Sequence, residues 1–143
     1  MAEPLKVLFV CTSNSCRSQM AEGFARSFGG RIVEPYSAGA KPGVLHPLTV
    51  AVMGERGVDV SGQYSKGLAD VPQEMALVVT VCDEAAEECP VFPGARRVLH
   101  WSVPDPAKAE GTPDQVQQAF RQARYEIERR VRTLLRELTP EHS

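Results

Sequence analysis

Residues 7–24 read VLFVCTSNSCRSQMAEGF. Lys6 to Val10 is a short apolar, β-branched run, the pattern of a strand buried on both faces. It passes into the polar loop Cys11–Ser18. From Ser18 to Phe28, Met20, Phe24 and Phe28 then recur four residues apart with Ala21 and Ala25 beside them. That is one face of a helix, and Gly29-Gly30 ends it. A strand that turns through a polar loop into a helix is the opening of an α/β fold.

The alternation continues outward from there. Residues 31–39, RIVEPYSAG, read as a second strand, weakened by Pro35. HPLTVAVMGERG (46–57) reads as a helix with Pro47 in its first turn and Gly57 as the stop. MALVVTV, from Met75 to Val81, is the clearest strand, and ARRVLHW (95–101) is a fourth. In TPDQ, Thr112 caps, Pro113 takes the first helical position and Gln115 completes a capping box. Val116, Phe120, Ala123, Ile127, Val131, Leu134 and Leu138 follow at spacings of three and four, with arginines on the solvated side. The fold class expected is a three-layer α/β sandwich: a four-stranded parallel sheet with helices on both faces. Ligands bind such sheets beyond the carboxyl ends of the strands, which is where Cys11–Ser18 lies.

The 143 residues form one ordinary domain, 1–143, able to bury about 68–70% of the unfolded surface. A net charge of −2 gives no reason to expect a nucleic-acid or anionic-membrane partner, so any attraction for anions must be local. No secretory signal and no membrane-length apolar run is visible. A cytoplasmic protein is therefore expected. Its four cysteines should be read as reactive or metal-binding before they are read as a scaffold.

A tetrahedral oxyanion needs converging N–H donors and a positive charge. A polar loop feeding a helix N-terminus supplies both, and Arg17 adds a fork that matches oxyanion geometry. The same field would hold negative charge on the sulfur of Cys11 and make it a nucleophile. Ser18 could donate a hydrogen bond to that sulfur when it leaves. The plainer alternative is a buried strand-end cysteine beside a helix-start charge; the strand before and the helix after favour the functional reading. Cys16 is expected to pack inside the loop.

Cys82 lies just past the third strand, on the same sheet edge as Cys11, and Cys89 follows a short acidic stretch. Across a regular helix their Cα atoms would stand about 10 Å apart, whereas a disulfide needs roughly 4.4–6.8 Å. Cys82 could equally be an inert core cysteine. Zinc is disfavoured, because C-x4-C and C-x6-C differ from the tight pairs of structural zinc sites. In VPDPA (103–107), Pro104 and Pro106 restrict the backbone around Asp105. That carboxylate could protonate a leaving oxygen or simply bond its own turn.

The string VLFVCTSNSCRSQMAEGF resembles the low-molecular-weight protein tyrosine phosphatases, and more closely the thioredoxin-coupled arsenate reductases that share their fold. YSAG, ALVVTVCDEA and HWSVPDPA extend the resemblance over nearly the whole chain. It implies that Thr12, Ser13, Asn14, Ser15, Cys16 and Arg17 bind the oxyanion, with Cys11 as nucleophile and Ser18 supporting its sulfur. It further implies Asp105 as the acid, with Cys82 and Cys89 as resolving thiols that end as a redox-active disulfide. Arsenate would be the substrate and thioredoxin the reductant, in arsenic detoxification; a phosphatase acting through a phosphocysteine is the alternative. Ala107 follows Asp105-Pro106 where phosphotyrosine phosphatases usually carry an aromatic residue, which argues against tyrosine phosphate. Ser13 stands where many relatives have glycine, and would be strained if φ there were positive. Asn14, Glu22 and Ser37 match positions that hold potassium in some reductases. Lys66 replaces the remaining aspartate, so its ammonium could fill the cation's role. No metal ion and no cofactor are expected, and the chain is expected to act as a monomer. His46 and His100 are read as structural, and Trp101 as packing near the acid loop.

Overall fold

The computed structural model describes residues 3–83 and 89–139. Strand β1 is Leu5–Cys11, helix α1 Arg17–Gly29, β2 Val33–Gly39, α2 Pro47–Gly54, β3 Leu77–Cys82, β4 Val98–Ser102 and α3 Pro113–Leu138. Short 3-10 turns occupy Leu68–Asp70 and Pro106–Lys108. The strands form one parallel sheet in the order β2-β1-β3-β4. This is the α/β architecture expected from the sequence, with boundaries shifted by a few residues. Met75 and Ala95, read as strand starts, meet instead in an isolated bridge ahead of β3 and β4.

Alternation along the buried strands divides the core in two. Val7 and Phe9 of β1, with Val79 and Val81 of β3, pack against α1, α2 and α3 through Met20, Phe24, Val52 and Ile127. Leu8, Val10 and Val78 face the other way, onto Val71, Met75 and Phe92. Among the described residues that second layer is built from the 3-10 turn at 68–70 and the segments around it. Trp101 closes the first core against Phe9, ring centroids 5.8 Å apart.

Helix α3 forms for the reasons its sequence gives. Thr112 Oγ1 accepts from the Gln115 amide at 3.2 Å, and Gln115 Oε1 accepts from the Thr112 amide at 2.8 Å. Phe120, Ala123, Ile127, Val131 and Leu134 are buried as the spacing predicts, and Leu135 joins them, while Val116 and Leu138 are only partly covered. Helix α2 is shorter than expected. It ends at Gly54, and Gly57, at φ 73°, turns the chain three residues later. Among the described residues no helix is long and apolar enough to cross a membrane.

Ile127 is fully buried midway along α3. Ile127→Ala should lower unfolding stability by about 2–5 kcal/mol through lost contacts and a residual cavity. A shift of the urea midpoint with unchanged slope would register that loss.

Candidate active site

Three strand ends meet at one edge of the sheet. Strand β1 delivers Cys11, β2 delivers Gly39 and β3 delivers Cys82. Between Cys11 and α1, residues 12–16 form a loop whose shape is set from outside. The carbonyl of Thr12 accepts from the Lys41 amide at 2.9 Å. That of Ser13 accepts from the Gly43 amide at 3.2 Å and from Ser65 Oγ at 2.8 Å. Asn14 O accepts from Gln19 Nε2 at 3.0 Å. Ser15 O accepts from the His46 amide at 3.1 Å and Thr49 Oγ1 at 3.0 Å. In a trans peptide the N–H points opposite the carbonyl, and the chain has no cis bond among the described residues. The amides of residues 13–16 therefore turn away from these outer partners, toward the inside of the loop. Helix α1 adds a first turn with no acidic residue and no side-chain cap at Cys16, so its dipole is left available to an anion.

Asn14 is the hinge of this arrangement. It carries φ 54°, the left-handed region that asparagine tolerates better than most residues. Ser13 does not, so the strain foreseen there is absent. Asn14 Oδ1 accepts from the Lys66 amide and from Gln19 Nε2, both at 3.0 Å. Its Nδ2 then donates to Ser18 Oγ at 2.7 Å. Ser18 Oγ, accepting from Asn14, keeps its hydroxyl proton for donation to Cys11 Sγ, 2.8 Å away, when that sulfur is ionised. Gln19, fully buried, extends the frame to the Tyr64 carbonyl at 2.9 Å. Gly39 closes it: a Cβ there would stand 2.7 Å from Thr12 O and 2.8 Å from Asn14 N. Sequence reading missed Gln19, Gly39 and Ser65 as loop supports. SQMAEG and YSAG contained two of them, but what they touch is set by pairing across the fold.

Arg17 is 1% exposed. Its Nη1 donates to Val103 O at 3.0 Å, and its Nη2 stands 3.7 Å from Asp105 Oδ2. Asp105 bonds its own turn, one of the two readings its sequence allowed, and its carboxylate also faces the oxyanion loop's arginine. One oxygen caps its own turn by accepting from the Ala107 amide at 3.0 Å, and the other faces Arg17. The acid loop borders a 510 Å³ cleft against α3, lined by Val103, Asp105, Pro106, Lys108, Ala119 and Ala123.

The cysteines fall into two kinds. Cys11 and Cys16 are buried free thiols, whereas Cys82 and Cys89 form a disulfide with Cα atoms 6.0 Å apart. That separation is shorter than a regular helix would give; residues 84–88 between them lie outside the described residues. Cys16 packs as expected, and burial pushes its thiol up to about 12. His46 caps α2, its Nδ1 accepting from the Leu48 amide at 3.1 Å. His100, read as structural from sequence, lies with Nδ1 3.9 Å from Cys82 Sγ and 2.8 Å from Thr80 Oγ1. The sulfurs of Cys82 and Cys89 and a ring nitrogen of His100 lie within 4.8 Å of one another. Both sulfurs are committed to the disulfide, and neither is a thiolate that could take a metal.

Glu22 is buried, accepting from Ser37 Oγ, with Arg26 on its outer oxygen. Lys66 Nζ stands 3.7 Å from Glu22 Oε1, 3.5 Å from Ser37 Oγ and 3.0 Å from Tyr64 O, and it lies over the Tyr64 ring. Burial lowers the lysine's pKa, with Glu22 acting in the opposite sense. The ammonium thus lies beside Glu22 and Ser37, as expected from the sequence.

A cradle of inward amides, an arginine and a sulfur at its floor are what a cysteine-dependent enzyme of tetrahedral oxyanions requires. The chain belongs to the low molecular weight phosphotyrosine protein phosphatase family, whose sequence pattern matches residues 6–143. It is 43% identical over 128 residues to an arsenate reductase of Halalkalibacterium halodurans, covering 89% of this chain and 92% of that protein. It is 42% identical over 127 residues to an arsenate reductase of Bacillus subtilis, covering 88% and 91%. Among solved structures it resembles an arsenate reductase in the phosphate binding state, with a TM-score of 0.78, 32% identity and coverage of 94% and 99%. An arsenate reductase in the oxidized state gives a TM-score of 0.79 at 30% identity, with coverage of 94% and 98%. The YwlE arginine phosphatase, 20% identical with a TM-score of 0.71, shares the fold.

Asn14→Ala should leave the fold intact but release Ser18 and the loop, lowering activity through Cys11 by about 10- to 100-fold; kinetics alongside circular dichroism would show it. Exchanging sodium for potassium in the assay should change the rate less than about twofold, because Lys66 already supplies the positive charge beside Glu22. Strong stimulation by potassium would mean that a free cation is still needed.

Proposed function

We propose that this chain reduces arsenate to arsenite by a thiol relay. The observation that carries the reading is the Cys82–Cys89 disulfide at the sheet edge where Cys11 remains a free thiol, the distribution such a relay would leave after one turnover. Arsenate would lie in the 12–16 loop against Arg17. The Cys11 sulfur attacks arsenic, and Asp105 protonates the departing oxygen. Cys82 then attacks the Cys11 sulfur of the adduct. The sulfur–arsenic pair goes to arsenic, which leaves as arsenite, and a Cys11–Cys82 disulfide remains. Cys89 attacks Cys82 in turn, freeing Cys11 and forming Cys82–Cys89. Ser18, hydrogen-bonded to Cys11 Sγ, stabilises that sulfur when it departs.

By strand spacing and register, the Cα atoms of Cys11 and Cys82 stand on the order of 6 Å apart. Alternation sends Cys82 toward the side of Thr80 and His100, so the handover calls on backbone movement just past β3. A dithiol protein of the thioredoxin class would then reduce Cys82–Cys89, in the cytoplasm, with the chain acting as a monomeric domain. The relatives named arsenate reductase support this reading over a phosphocysteine phosphatase. Ala107 supports it too, since it offers no ring to stack on an aryl substrate.

Wild-type protein should consume reduced thioredoxin in proportion to arsenate added. Cys89→Ser should stop after a single turnover with a Cys11–Cys82 disulfide detectable by mass spectrometry. Cys82→Ser should abolish arsenate reduction while leaving weak aryl-phosphate hydrolysis through Cys11. Repeated turnover of Cys89→Ser on thioredoxin alone would remove the relay.

A further inference from the structure

The two sulfurs of the disulfide have unlike surroundings. Cys82 is fully buried at the end of β3, and Cys89 is half-buried beyond it. A thiolate arriving from solvent therefore meets Cys89 Sγ. The sulfur that must depart with the bonding pair is that of Cys82, and burial opposes the charge it would carry. Burial acts in the same direction on the thiol of Cys16, which desolvation raises. A sulfur in such a setting is a poor leaving group, since departure is faster the lower the thiol pKa.

His100 is positioned to answer this. The pairing Thr80↔His100 brings its ring across from β3, with Nδ1 3.9 Å from Cys82 Sγ. Thr80 Oγ1 stands 3.4 Å from the Leu99 carbonyl, to which it can donate, leaving a lone pair for Nδ1–H at 2.8 Å. That hydrogen bond holds a protonated Nδ1 on the side facing the sulfur. His100 is otherwise exposed, so the ring can recover a proton from water. Thr80 Oγ1 and Cys82 Sγ of β3 are among the groups placed against Nδ1, with Cys89 close by.

We propose that His100 is a catalytic acid of the resetting step, protonating Cys82 as the Cys82–Cys89 disulfide opens. One thiolate of a dithiol reductant attacks Cys89 Sγ. The Cys82–Cys89 bond breaks, its electron pair goes to Cys82 Sγ, and that sulfur takes the Nδ1 proton of His100 in its imidazolium form, which leaves neutral imidazole. A mixed disulfide between reductant and Cys89 remains. The reductant's second thiol attacks its own mixed-disulfide sulfur and releases Cys89, so the dithiol is oxidised by two electrons and the chain's disulfide is reduced. The imidazole regains its proton from solvent. This rests on the relay reading in taking the disulfide as the species to be reset. The opening can nevertheless be timed with no arsenate present, so the two ideas fail separately.

The test uses oxidised full-length protein and dithiothreitol at neutral pH, with the opening followed by acid quench, alkylation and mass spectrometry. His100→Gln and His100→Asn should each open about tenfold more slowly or worse, with unchanged circular dichroism, and added imidazole should restore part of the rate. Opening within about twofold of wild type in both variants would overturn the proposal. So would full recovery in the Asn variant, whose amide can keep the Thr80 hydrogen bond without delivering a proton. A measurement on the unaltered chain stands beside these. Glutathione, a monothiol, should be trapped on Cys89 with Cys82 free, and an adduct on Cys82 would reverse the polarity on which the acid depends.

Discussion

The site depends on the direction of four peptide units. Every carbonyl from Thr12 to Ser15 is held by a donor outside the loop, drawn from the 41–49 segment, from Ser65 or from Gln19. Peptide planarity converts those outward bonds into inward amides. An anion site built this way needs no charged residue except Arg17, and a net charge of −2 is no obstacle to it. It also explains the close approach of Gly39. The loop can be drawn tight against β2 only if no side chain stands between them.

The same frame reaches the chemistry through a chain of single hydrogen bonds. The Lys66 amide and Gln19 fix the orientation of the Asn14 amide group, Asn14 fixes Ser18, and Ser18 points its hydroxyl at Cys11. Each link has its alternatives removed by the link before it. Cys16 lies in the same loop and is about as buried; desolvation raises its thiol to about 12, and a hydrogen bond with Thr49 offsets only part of that rise. Loop membership does not by itself favour the charged form of a cysteine.

Much of this was legible because it is local. The strand–loop–helix order around Cys11, the capping box at Thr112 and the periodic face of α3 each depend on residues within a turn or two of one another. The prolines beside Asp105 likewise fixed where its carboxylate would be held. What was not legible depends on register. His100 sits in the fourth strand, which was legible, but only the alignment of β4 on β3 puts it beside Cys82. Gln19 reads as an ordinary helix residue until Asn14 and Tyr64 are brought to it. The strain foreseen at Ser13 failed for a related reason: the left-handed residue is one position later, where a side chain that can bond locally tolerates it.

Burial organises the sulfurs into an order. Cys11 and Cys82 are both within the fold, at the ends of adjacent strands, while Cys89 is the one partly open to solvent. In the proposed relay an oxidising equivalent taken up at Cys11 moves outward along that gradient. Each outward step expels an interior sulfur with the bonding pair, first Cys11 and then Cys82. Burial of charge costs several times thermal energy, so each departure calls for a polar group beside the sulfur. Cys11 has Ser18 for that purpose and Cys82 has His100. The two interior sulfurs that act as leaving groups in the proposed relay each have a polar partner in reach, and the half-buried Cys89 has water.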